Sequence, residues 1–92
     1  METGILFANI EKEVLESLLH QRVQINFNFD EKLIFSGYFR SFDAMFNVEL
    51  TEVVNLYTGN SFGSGKFNGQ NILYIRKDPL EYDHFFIRMD KK

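Results

Sequence analysis

The stretch FSGYFRSFDAMFNVEL, residues 35–50, carries the reading of the fold. Gly37 stands inside a strand pattern. Asp43 and Asn47 lie four apart among Phe39, Phe42, Met45, Phe46, Val48 and Leu50. Over residues 33–42 the large apolar residues Ile34, Phe35, Phe39 and Phe42 do not share one parity. An interior strand glycine often marks a bulge or sharp bend. A parity break around it is what a strand shared between two faces of a small barrel produces, so Gly37 is expected at a strand bend. Asp43-Ala44-Met45 reads as a tight connection, because an Asp that opens a turn accepts backbone N–H bonds. Phe46, Val48 and Leu50 alternate with Asn47, Glu49 and Thr51, giving a further strand that is expected to run on through Val54 to Tyr57.

Upstream, residues 9–20 (NIEKEVLESLLH) have the helix period. Ile10, Val14 and Leu18 are spaced by four, and Leu15 and Leu19 widen the stripe. Asn9 is the expected N-cap, Glu11 and Glu13 suit the positive end of the macrodipole, and His20 falls in the last turn. At Val23 the period changes from 3.6 to 2. Val23, Ile25, Phe27 and Phe29 alternate with Gln24, Asn26 and Asn28, a half-buried strand. Asp30-Glu31-Lys32 is a polar turn.

Downstream, residues 58–65 (TGNSFGSG) read as a turn-rich connection, and Lys66 and Phe67 as the start of a short fourth strand. Asn68-Gly69 is a turn signal. Residues 72–75 (ILYI) form a short apolar fifth strand, ended by Pro79. The tail contains Tyr82, Phe85, Phe86 and Ile87 and is expected to pack on the body or on a neighbour. The result is mainly β: an N-terminal α-helix followed by a strongly bent five-stranded antiparallel small barrel. So small a sheet must curl or close to remove its edges.

Ninety-two residues with 45% hydrophobic content suffice for one domain. Without Cys there is no disulfide framework, thiolate site or Cys nucleophile. The first residues lack the basic region and apolar core of a signal peptide. No apolar run approaches the ~20 residues of a membrane span. The chain therefore reads as soluble and intracellular, in the nucleus or cytoplasm or both. Its net charge of −3 does not suit a protein that coats a phosphate backbone. Any nucleic-acid binding would rest on a few placed contacts. His20 and His84 lie in unrelated contexts, so no metal site is expected. Gly59, Gly63 and Gly65 lack the GK[ST] of a phosphate loop. Neither Ser61 nor Ser64 has a base placed by a visible motif. The expectation is a binding protein with no cofactor, not an enzyme.

Two stretches in this order resemble the bipartite signature of the Sm and Sm-like (LSm) family. The first resembles its strand–Gly–strand–Asp-x-x-x-Asn–apolar strand, here Gly37, Phe39, Phe42, Asp43, Asn47, Val48 and Leu50. The second resembles apolar–Arg–Gly–x–Asn–Ile, here Phe67, Asn68, Gly69, Gln70, Asn71 and Ile72. The resemblance spans residues 10–75. It implies a single domain over residues 1–92, with a helix at about 9–20, motif one at about 23–56, motif two at about 66–76 and an extension at 77–92. Three departures stand out. Asn68 replaces the usual arginine, the turn at 30–32 lacks the frequent glycine, and Met45 stands where RNA-binding members commonly carry His, Tyr or Phe.

The resemblance implies an RNA-binding subunit of a homo- or heteromeric ring of Sm/LSm-type chains, usually seven different chains in eukaryotes. Such rings act in RNA processing, in snRNP cores and splicing or in mRNA decay. The fourth strand of one subunit pairs with the fifth of the next, so Lys66, Phe67, Ile72, Leu73, Tyr74 and Ile75 are implied interface residues. Single-stranded, U-rich RNA would be held at Met45, Asn47, Asn68 and Gly69, with Asp43 orienting the loop. Stacking with edge hydrogen bonds is the usual way single-stranded RNA is read. The paralogue stays open. So does a second reading, an Sm-like assembly factor or scaffold that keeps the strand pairing without binding RNA. Asn68, the acidic charge and Met45 favour that alternative, and intact Asp43, Asn47 and Gly69 oppose it.

Overall fold

Among the described residues, six strands form one antiparallel sheet in the order β1-β6-β2-β3-β4-β5. The structure, a computed structural model, describes residues 5–78. In chain order these are β1 (Ile5–Leu6), a 3-10 turn (Phe7–Asn9), α1 (Lys12–Ser17), β2 (Arg22–Phe27), β3 (Ile34–Phe42), β4 (Val48–Asn55), β5 (Ser61–Phe67), a second 3-10 turn (Gly69–Asn71) and β6 (Ile72–Lys77). The five long strands and the short helix match the expected architecture. The two-residue β1 was not expected.

The helical stripe does face inward. Leu15, Leu18 and Ile10 are buried, and Val14 and Leu19 pack against the same core. That core also takes Val23, Ile25 and Phe27 from β2, Phe39 from β3, Val48, Leu50 and Val53 from β4, and Ile72 and Ile75 from β6. The helix is shorter than its periodic pattern. Asn9 is not its N-cap: it closes a 3-10 turn in which the Ile10 N–H donates to the Phe7 carbonyl, and Glu11 takes the cap position. His20 is not in the last turn. It follows the helix in the left-handed region (φ 68°), and its N–H donates to the Phe39 carbonyl across to β3. The inward pull of Ile10 and the need to turn into β2 override the local helical preference at both ends.

The sheet bends through irregular pairing. Registers shift between Ser36 and Tyr38 and between Phe39 and Ser41 on β3, and between Asn26 and Phe27 on β2. Gly37 sits within the first shift. A β-carbon there would lie 3.0 Å from the Thr51 carbonyl oxygen and 3.1 Å from Leu50 Cβ. The β4 strand changes face at Glu52, which takes a left-handed φ of 51°. Buried residues accordingly switch from Val48 and Leu50 to Val53 and Val54.

Three strand expectations need correction. The first strand stops at Phe27, and Phe29 is 62% exposed. The third starts at Val48, not Phe46, because Phe46 closes the preceding turn with φ 63°, and it ends at Asn55. The fourth does not begin at Lys66 and Phe67 but ends there: residues 61–65, read as turn, pair with β4 from Val54 to Leu50. Ladder bonds offered by β4 outweigh the turn preference of the glycines. Asn68-Gly69 does not close a hairpin either. β5 and β6 lie far apart in the sheet order, and a 3-10 turn links them. Pro79 and the apolar tail lie outside the described residues.

Candidate nucleic-acid interface

The loop between β3 and β4 is tied together by one carboxylate. Asp43 Oδ1 accepts the backbone N–H groups of Met45 (2.9 Å) and Asn47 (3.0 Å). Its Oδ2 accepts the Asn47 side-chain amide at 3.1 Å. The Asp43 N–H donates to the Asn47 carbonyl, and the Phe46 N–H to the Asp43 carbonyl, so the five residues form a closed unit. Bonds from the Asn47 backbone, the Asn47 side chain and Met45 hold the Asp43 carboxyl below its ordinary 3.8, against a smaller opposing effect of desolvation.

The second stretch docks onto this unit through its glycine. The Gly69 N–H donates to Asn47 Oδ1 at 2.9 Å. A β-carbon at Gly69 would lie 2.3 Å from the Phe46 carbonyl oxygen. Only glycine allows the loops to meet so closely, which is the physical reason for the residue in this motif. Asn47 thus has one end on Asp43 and the other on Gly69. One amide hydrogen and one carbonyl lone pair remain for a ligand.

Met45 is 73% exposed and, with Gly69, Leu6, Phe46 and Leu73, lines a groove of about 460 Å³. Asn68 stays apart. Its side chain turns back to accept the Gln70 N–H at 2.9 Å, capping its own 3-10 turn. No charged side chain lines the groove among the described residues. The structure therefore brings Asp43, Met45, Asn47 and Gly69 together and leaves Asn68 beside them.

The implied interface residues fall on the two halves of the sheet expected to carry edges. Lys66 and Phe67 are on β5, which ends the sheet, and Leu73, Tyr74 and Ile75 are on β6. Ile72 and Ile75 place their side chains in the core, so only their backbone can meet a neighbour. An aromatic group near β5 was not expected from the sequence. Phe35 lies 5.5 Å from Phe62 and 5.3 Å from Phe67 by ring centroid, with Phe62 43% exposed. Also missed was a buried polar cluster on the other face of β2. Arg22 Nε donates to Ser36 Oγ, Ser36 Oγ to Asp78 Oδ2 and Gln24 Nε2 to Asp78 Oδ1, at 3.0, 2.7 and 3.3 Å. The polar parity of Arg22 and Gln24 was the available signal. Asp78, the distant partner, gave none.

Among the described residues, no group of three His, Asp or Glu is placed to hold a metal ion, and no helix is long and apolar enough to cross a membrane.

A model of the LSM domain matches residues 13–90. The chain belongs to the LSm family. Solved structures agree with that assignment. A heptameric archaeal Sm protein is 26% identical, superposes with a TM-score of 0.64, and matches over 73% of this LSm chain and 98% of its own. The SmAP1 heptamer of Pyrobaculum aerophilum is 26% identical over 73% of the LSm chain and 90% of its own, with a TM-score of 0.65. The Sm protein of Pyrococcus abyssii, solved with a uridine heptamer, shares the fold at 20% identity, over 76% of the LSm chain and all of its own, with a TM-score of 0.65. No curated protein matches the LSm chain.

Proposed function

We propose that this LSm chain is a ring subunit that holds one nucleotide of single-stranded, U-rich RNA and serves RNA processing, in a splicing or mRNA-decay particle. The observation that carries this reading is the Asp43–Asn47–Gly69 unit, which fixes a half-satisfied Asn47 amide in the same loop as the exposed Met45. A thioether is polarizable and packs against flat π-systems, so Met45 supplies one face of a base pocket. The free hydrogen and lone pair of Asn47 suit a base edge that offers a carbonyl and an N–H. The Pyrococcus abyssii relative, solved with a uridine heptamer, supports the ligand class. Ring pairing is supported by the β5 strand at the end of the sheet and by the exposed aromatic ring of Phe62 on it.

The second reading, a scaffold or assembly subunit with a vacant pocket, is favoured by one specific observation. Asn68, in the usual arginine position, caps its own turn and lends no cation to the groove. Oligouridine binding by the assembled ring separates the two. Retained affinity after both Met45→Ala and Asn47→Ala would leave only the scaffold reading.

A further inference from the structure

The β6 edge that a ring neighbour would need is already occupied by the chain's own strand β1. Tyr74 and Ile75 pair on one side with Asn26 and Ile25 of β2, and on the other with Leu6 and Ile5 of β1. Both sides of these two residues are therefore taken. At the opposite end of the sheet, β5 has no strand beyond it among the described residues. One edge is thus ready for a partner and the other is covered.

We propose that β1 is a displaceable cap, and that the β5 strand of a second copy must replace it on β6 before a ring can close. This rests on the ring reading given above. The exchange has a clear direction. Among the described residues the cap contributes two paired residues, whereas β5 is a seven-residue strand. A two-residue strand is the kind of weakly held element that opens locally without unfolding the rest. Its base is firm. Phe7, directly after the cap, is buried in the core and meets the Phe46 ring edge-on at 6.3 Å, and the 3-10 turn follows. Release can therefore hinge at Leu6 and leave the helix in place. A head-to-tail contact that joins the β5 edge of one copy to the β6 edge of the next is heterologous and generates rings. Covering one of the two edges restrains polymerisation through the other until the cap is displaced.

The cap also lines the groove beside Met45. Leu6 is 40% exposed and walls that groove with Met45, Phe46 and Leu73. Its departure would remove one apolar wall, so assembly and groove shape are linked through a single side chain.

The absence of cysteine makes the test clean. Leu6 and Tyr74 are antiparallel Cα partners, and such partners lie at a separation that a disulfide spans. The full chain carrying Leu6→Cys with Tyr74→Cys is compared oxidised and reduced by native mass spectrometry across a concentration series. The cap predicts oligomers in the reduced form and at least a tenfold smaller oligomeric fraction in the oxidised form, with the reduced state of the same chain controlling for the substitutions. Equal oligomer formation in both states overturns the cap and leaves the ring reading standing. Monomer in both states overturns the exchange with a second copy, and with it the cap as proposed, and leaves a ring of different subunits standing. Should the double variant not fold, Leu6→Pro in the otherwise natural chain must raise the oligomeric fraction, and an unchanged fraction overturns the proposal.

Discussion

At the scale of single residues, close backbone approach accounts for both motif glycines. The β-carbon of Gly69→Ala would meet the Phe46 carbonyl oxygen at 2.3 Å, and backbone cannot step aside as a flexible side chain can. This variant should lose more than about 1 kcal/mol of stability, beyond the usual cost of a surface substitution, and denaturant titration measures it. At Gly37 the contacts of 3.0–3.1 Å are less severe, but a branched side chain adds to them. Gly37→Val should therefore exceed the ~1 kcal/mol span of strand propensities, and an unchanged melting curve would remove the bend from the account of this position. Asp43 sets a pH dependence with a definite sign. Its carboxyl is held below 3.8 in the folded chain by bonds from Asn47 and Met45. The stabilisation is therefore present above the unfolded value and is lost as pH falls below it through the lowered folded one. Asp43→Asn should flatten acid unfolding in that window, as read by circular dichroism between pH 5 and 2 on a scale set by the 3.8 reference. These roles were legible in part. The Asp-x-x-x-Asn spacing pointed to a tied loop, whereas the reason for Gly69 appeared only when the second loop was seen to press on Phe46.

At the scale of elements, strands announced by alternation were readable and strands imposed by a neighbour were not. Val23, Ile25 and Phe27 alternate and form β2. Residues 61–65 carry Gly63 and Gly65 and two serines, and they become strand only because β4 presents a ladder from Leu50 to Val54. Local sequence cannot report a bond supplied by residues ten positions away. The same holds at β1, whose two residues have no period and are strand only through Tyr74 and Ile75. Helix ends were blurred for a related reason: Ile10 fits the helical stripe, yet its backbone is extended (ψ 139°) while its side chain reaches the core. Element-scale reasoning also gives a prediction for β6. Leu73 lies where the β2–β6 register slips between Tyr74 and Ile72. Leu73→Pro removes an amide donor there at modest cost to the β2 ladder but spoils the edge offered to a neighbour. Oligomers should be lost in size-exclusion chromatography while the monomer stays folded.

At the scale of the whole molecule, the sheet divides its labour between two faces and one rim. The inner face holds the apolar core under α1. On the outer face, Asp78 at the end of β6 reaches Ser36 on β3 and Gln24 on β2, and Arg22 reaches the Glu52 carbonyl of β4 at 2.9 Å. Four strands are thereby fastened by one buried polar group of side chains, and the rim loops at 43–47 and 68–71 are presented from a stiff frame. The proposed RNA site lies on this rim, and Met45 isolates the ligand term from the structural one. Asn47→Ala removes the bonds to Asp43 and Gly69 along with any base contact, so a loss of affinity there mixes two causes. Met45 has its side chain mostly in solvent and supplies only its backbone N–H to the loop. Met45→Ala should therefore leave melting unchanged. If a base rests on the thioether, the ring should bind oligouridine more weakly by about 1 kcal/mol at each such subunit, the low end for stacking on a side chain, or roughly fivefold. Met45→Phe should restore or exceed the parent affinity, because an aromatic face stacks better than a thioether. Fluorescence anisotropy at fixed salt reads all three rings. Equal affinity across Met, Ala and Phe would mean that no base reaches this face of the groove.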